Sequence, residues 1–96
     1  MNIETDLEGY LINRDIWTPE VAAEIAARDG RELTDERMHY INEARRYYEE
    51  FGVVPTLRTF IKELGVDKKE IFRVFETGPL KVICKWGGLP KPTGCV

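Results

Sequence analysis

The sequence predicts a mainly α-helical fold: a small orthogonal bundle of about five helices, with an N-terminal β-hairpin, a helix-turn-helix-like segment and a flexible C-terminal arm. Three observations carry that prediction. Apolar residues recur at helical spacing in successive stretches between Thr18 and Trp86. Capping residues, Gly and Pro punctuate those stretches. The segment after Trp86 is so rich in Gly and Pro that it cannot be helical. A chain of 96 residues, 43% hydrophobic and 32% charged, suits one folded domain and argues against disorder. The expected division is a helical domain over 1–86 and a mobile arm over 87–96.

Ile3-Glu4-Thr5 and Tyr10-Leu11-Ile12 read as two short strands around the turn Asp6-Leu7-Glu8-Gly9. Thr18-Pro19 opens the first helix, because Thr caps and Pro lacks only an N–H that the first turn leaves unpaired. Val21, Ala22, Ile25 and Ala26 form its inward stripe, and Asp29-Gly30 ends it. Thr34 caps a second helix with Asp35 and Glu36 in its dipole-favoured first turn. Ile41, Ala44, Tyr47, Tyr48 and Phe51 give this helix a wide apolar face, and Gly52 stops it. Leu57, Phe60, Ile61 and Leu64 keep the i, i+3, i+4, i+7 spacing, which predicts a third helix from about Thr56 to Gly65. Asp67 and Glu70 have capping-box spacing before a fourth helix carrying Ile71, Phe72, Val74 and Phe75. Gly78-Pro79 restarts the chain into a short fifth helix that runs through Cys84 to about Trp86.

Charge is unevenly placed. Residues 1–77 hold all 17 acids and 11 of the 14 bases, whereas 78–96 hold Lys81, Lys85 and Lys91 and no acid. Both cysteines, Cys84 and Cys95, lie in this cationic tail, a location that argues against burial for either. On the predicted helix, Cys84 is expected to be partly covered and the less reactive of the two. The neighbouring lysines favour the nucleophilic thiolate. At Cys95 the terminal carboxylate opposes them, and the balance stays open. The ten residues after Trp86 span ~30 Å when extended at ~3.3 Å each, enough to enter a cleft in another protein. Closing a loop of about ten residues back onto Cys84 costs little entropy, so thiolate exchange could release a sulfur species carried by Cys95. These features describe a swinging arm with a loading and a resolving cysteine, against the plainer reading of a tail with no role. Two cysteines and His39 do not make zinc-ligand spacing, and no metal or organic cofactor is expected.

The ending Gly88-Leu89-Pro90-Lys91-Pro92-Thr93-Gly94-Cys95-Val96 resembles the signature of the DsrC/TusE family, whose DsrC members are the gamma subunit of dissimilatory sulfite reductase. The resemblance extends to Asp6-Leu7-Glu8-Gly9-Tyr10-Leu11, Trp17, Leu33-Thr34, Arg45, Tyr47-Tyr48, Phe51-Gly52, Pro55, Arg58, Phe75 and Gly78-Pro79. It implies a sulfurtransferase-type protein co-substrate, with Cys95 taking up sulfur and Cys84 closing a trisulfide or disulfide bridge; a cytoplasmic location is expected separately, from an N-terminus without signal-peptide character and a sequence without a membrane-length apolar run. Implied partners are the catalytic subunits of sulfite reductase or another sulfur donor protein, and a membrane-bound thiol–disulfide reductase complex as acceptor. Direct membrane insertion is not expected. Gly88, Leu89, Pro90, Lys91, Pro92 and Gly94 would form the docking arm, and Arg58 an anion-friendly groove for it. TusE members, which relay persulfide sulfur toward tRNA thiolation, typically lack the second cysteine, so Cys84 places the chain on the DsrC side. Met38-His39 and Trp86-Gly87 depart from the family's usual residues.

The remaining features have plainer readings. Thr56 through Phe75 resembles a helix-turn-helix, but its second helix mixes Lys68, Lys69 and Arg73 with Asp67, Glu70 and Glu76. A DNA-binding regulator using this segment is therefore the least favoured alternative and nucleic acid is not the expected partner, since phosphate binding needs a cationic surface. His39 is expected at or near the surface, Trp17, Tyr47 and Tyr48 in the core, and Lys91 solvated until a partner docks.

Overall fold

Four short polar side chains begin four of the helices by accepting a backbone N–H that the first turn would leave unpaired. In the computed structural model, which describes residues 2–93, Thr18 accepts from Val21 N to open α1 (Pro19–Arg28). Thr34 accepts from Arg37 N to open α2 (Asp35–Phe51), and Thr56 from Thr59 N to open α3 (Leu57–Leu64). Asp67 accepts from Lys69 N to open α4 (Lys68–Phe75). The predicted capping box is only half made there: the Glu70 carboxylate bonds Arg73 instead of reaching back to Asp67. The fifth helix, α5 (Pro79–Trp86), has Gly78 before it and no side-chain cap. Gly52, at φ 73°, ends α2 in the left-handed region and returns its N–H to Tyr48 O at 2.7 Å.

α5 is the centre of the molecule. It packs against α1, α2 and α4, and Leu80, Ile83, Cys84 and Trp86 are fully buried along it. Val21, Ala22, Ile25 and Ala26 of α1 cover it on one side, as their spacing predicts. Tyr40, Ile41 and Ala44 of α2, Leu57 and Phe60 of α3, and Ile71, Val74 and Phe75 of α4 complete the core. Complete burial of each large apolar side chain contributes ~1.5–3 kcal/mol, so this contiguous cluster is the main source of stability. The apolar face of α2 is narrower than its sequence suggests. Tyr47 and Tyr48 are half-buried, and Phe51 is 54% exposed at the helix end. Trp17 is also half-buried, not a core residue.

The N-terminal hairpin is reduced to one antiparallel bridge, Thr5 to Leu11. No strand forms among the described residues. Asp6 explains the outcome: its carboxylate accepts from Glu8 N and Tyr10 N at 2.9 and 3.0 Å, organising the segment as a side-chain-bonded loop. The second arm has no room to extend, because Asn13 immediately caps a 3-10 turn over Arg14–Ile16. The loop still delivers Ile3, Tyr10 and Leu11 to the core.

Candidate functional site: Cys84 and the root of the tail

Cys84 occupies the last turn of α5 and has no exposed surface. This corrects the expectation drawn from its cationic, Gly/Pro-rich surroundings. The helix directs Cys84 inward with Leu80 and Ile83, while Lys81 lies exposed and Lys85 half-buried. Burial pushes the thiol pKa up to about 12, because a thiolate there would lose its hydration. Tyr10 is pushed up to about 12 as well, first by burial and then by a Cys84 thiolate, Glu8 and Asp6. Cys95, Gly94 and Val96 lie outside the described residues.

The first residues of the tail pack onto the helices. Gly87, Gly88 and Leu89 are buried. Three polar contacts hold this root. Trp17 Nε1–H donates to Trp86 O at 2.8 Å, the Arg45 guanidinium donates to Gly87 O at 2.6 Å, and Leu89 N–H donates to Cys84 O at 3.0 Å. Arg45 also lies over the Trp17 ring, 3.8 Å from its centroid. Partial burial lowers the Arg45 pKa, against an upward pull from Glu49. Gly88 has φ +65°, and a Cβ there would come within 2.6 Å of the Trp17 ring. Only glycine meets both the backbone and the steric demand. The buried backbone carbonyls explain the fixed root, since each must have a donor once removed from water.

Trp86 is fully buried. Its indole N–H donates to the Asp29 carboxylate at 2.8 Å, and Arg31 and Arg37 face its ring at 5.1 and 6.0 Å. Asp29 also accepts from Lys85 Nζ at 2.7 Å. Partial burial raises the Asp29 pKa, but the hydrogen bonds from Lys85 and Trp86 and the Lys85 and Arg31 charges outweigh it, leaving it below the ordinary value.

Beyond Leu89, the tail runs between the N-terminal loop and the end of α2. Pro90, Lys91 and Thr93 line a cavity of about 280 Å³ with Tyr48, Gly52, Val53 and Val54. Pro92 is half-buried. Lys91 is not simply solvated: it pairs with Glu8, approaches Asp6 at 3.7 Å, and sits 5.5 Å from the Tyr10 ring centroid. The Glu8 hydrogen bond is the main reason its pKa is raised. The structure thus brings Cys84, Leu89 and Lys91 to one side of the N-terminal loop. Arg58 is not part of that arrangement. It is exposed on α3 and does not line the tail's cavity. His39 is exposed on α2. On α4, Arg73 pairs with Glu36 and Glu70.

Trp17 and Arg45 were visible in the sequence, but no local signal linked them to the tail, because their partners are 69 and 42 residues away. Comparison with known proteins bears on this same segment. The family model described as DsrC like protein matches residues 1–96. The chain is 35% identical over 96 residues to the dissimilatory-type sulfite reductase subunit gamma of Nitratidesulfovibrio vulgaris, covering 99% of this chain and 91% of that protein. It is 38% identical over 101 residues to the sulfurtransferase TusE of Buchnera aphidicola, covering 98% of this chain and 89% of the relative. The solution structure of Allochromatium vinosum DsrC superposes with a TM-score of 0.83 at 42% identity, over 98% of this chain and 90% of that one. With the whole chain matched and the fold shared, this protein belongs to the DsrC-like family.

Proposed function

We propose that the protein is a sulfur carrier of dissimilatory sulfur metabolism, with Cys95 as the loading cysteine and Cys84 as the bridging one. The observation that carries this reading is the family match across residues 1–96, which takes in Cys84 and the tail that ends in Cys95-Val96. A Cys95 thiolate attacks the sulfane sulfur of a donor persulfide, releases the donor thiolate and becomes a persulfide, with no net change in oxidation state. Attack by Cys84 on the Cys95 sulfur then expels hydrosulfide and leaves a disulfide. With sulfite as the source, one sulfite, two thiols, two electrons from the reductase and four protons give a trisulfide and three waters. A thiol–disulfide reductase, taken here to be a membrane-bound complex, resets the pair.

The partner in this reading is a sulfite reductase, supported by the relative named as a subunit of that enzyme. The arm would enter its cleft from Pro90 onward, because Gly87 to Leu89 are held by the domain. A cytoplasmic location belongs to the same proposal. Among the described residues, no helix is long and apolar enough to cross a membrane.

The burial of Cys84 favours a second reading: a TusE-like relay in which Cys95 alone carries sulfur. Intact mass spectrometry after incubation with a persulfide donor separates the two. Loading adds about 32 Da, and the disulfide left when Cys84 expels hydrosulfide lies about 2 Da below the unloaded dithiol, two hydrogens lost. Cys95→Ser should abolish loading in either case. If Cys84→Ser leaves delivery to an acceptor intact, the relay holds; if it stops the cycle after loading, the bridge holds. Failure of the wild type to load sulfur overturns both.

A further inference from the structure

We propose that Trp17 and Arg45 are positioning residues that clamp the root of the arm, so that the length of chain free to close on Cys84 begins after Leu89. The inference rests on the bridging role given to Cys84 and Cys95 above and deepens it. The sequence Trp86-Gly87-Gly88 would make an efficient swivel if left free, since paired glycines are the least restricted backbone. The structure removes that freedom at consecutive peptides. The Trp86 carbonyl is held by the Trp17 indole, and the Gly87 carbonyl by the Arg45 guanidinium. Gly88 is seated against the face of Trp17, with no space for a side chain. Arg45 packs over the other partner of the clamp, so each half orients its neighbour.

The consequence is geometric. The Leu89 N–H bond to Cys84 O, at 3.0 Å, is the C-terminal cap of α5 with Gly88 left-handed, and the clamp holds the chain onto that cap. Between the two cysteines stand ten residues, but Lys85 to Leu89 belong to the fixed domain. The span that must close is therefore half as long. Effective concentration falls roughly as the −3/2 power of linker length, so halving the free length raises it about threefold. Trp17 and Arg45 thus favour the bridging step and leave the loading step, which involves Cys95 and an external donor, unaffected.

The test measures exchange of the full-length dithiol with oxidised glutathione: one protein dithiol and one glutathione disulfide give one protein disulfide and two glutathione thiols. The equilibrium constant is the effective concentration of one cysteine at the other. Trp17→Phe keeps the ring but removes the N–H donor. Arg45→Ala removes the guanidinium, and Arg45→Lys keeps its charge. Gly88→Ala pushes the root off the Trp17 ring without touching either donor. The expected result is a fall of about threefold in the exchange constant for Trp17→Phe, Arg45→Ala and Gly88→Ala, with partial rescue in Arg45→Lys. The rate of Cys95 modification by a small persulfide should stay at the wild-type value. A general loss of packing would not separate those two readouts.

Unchanged exchange constants in variants that retain the wild-type circular dichroism spectrum would overturn the clamp. So would a wild type that forms no disulfide in this assay. Glutathione exchange needs no sulfur donor, so its failure is distinct from failure of sulfur loading by mass, which tests the carrier function itself.

Discussion

The thiol of Cys84 and the carboxylate of Asp29 make opposite demands on solvent, and each predicts a pH response. Burial holds the Cys84 pKa at about 12, well above the ~8.5 of an exposed thiol. Between those values the folded state keeps a proton that the unfolded state gives up. This contribution to stability is therefore complete below about pH 8.5 and is lost as pH rises toward the folded value. Thermal unfolding between about pH 9 and about pH 11 should decline more steeply in the wild type than in Cys84→Ala. Tyr10 adds a decline of the same sign, and because a Cys84 thiolate is one cause of its raised pKa, Cys84→Ala removes part of that decline as well. With a pKa of about 12, roughly one Cys84 in 10⁴ is ionised at pH 8. Iodoacetamide should leave Cys84 of the folded Cys95→Ser protein unmodified and alkylate it once denaturant is added. Asp29 behaves oppositely: its lowered pKa gives stability above the ordinary carboxylate value that is lost as acid protonates the folded form. Asp29→Asn should cost about 1 kcal/mol at neutral pH, the scale of a charge-assisted hydrogen bond, and flatten the acid side of the stability curve.

At the scale of elements, the connection between α4 and α5 carries a strained residue. Glu76 has φ 69° and ψ −109°, and it is the described non-glycine residue with positive φ. A side chain in such a region costs ~1–3 kcal/mol unless its surroundings compensate. The surroundings explain why the chain takes this path: Arg31 donates to Phe75 O at 3.0 Å, fixing the end of α4. Its 3.9 Å approach to the Glu76 carboxylate is a weak return. Glu76→Gly should therefore raise the melting temperature, with a gain of about 1 kcal/mol by chemical denaturation. The helix limits themselves were legible in the sequence. Thr18, Thr34, Thr56, Asp67 and Gly78 stand immediately before the five helices, at the predicted positions. The hairpin was less legible, because alternation of apolar residues in two three-residue runs does not reveal that Asp6 will bond the backbone in place of a partner strand.

Across the whole molecule, the acidic body and basic tail meet at the N-terminal loop. Lys91 pairs there with Glu8 and Asp6, all on the surface. Exposed pairs are screened by salt and contribute little to global stability, but this one ties the segment after Leu89 to the domain. Lys91→Gln, or high salt, should speed amide hydrogen exchange at Lys91 and Thr93 while leaving the melting temperature within about a degree of wild type. Equal exchange in both proteins would mean that packing against Val53 and Val54 holds the segment instead. The charge asymmetry pointed to a tail distinct from the body, yet it could not show that the body supplies the tail's counter-ions.

The sequence by itself determined the helical class, the five helix starts, the two-cysteine tail and the family to which the chain is similar. Those properties depend on capping, periodicity and motif spacing, which act over a few neighbouring residues. Only the tertiary structure decided that Cys84 is buried, that Trp86 is held by Asp29, and that Gly87 to Leu89 pack onto the domain. Each follows from partners 42 to 69 residues apart that meet around α5. Whether a backbone carbonyl finds a donor there is settled by packing the whole core.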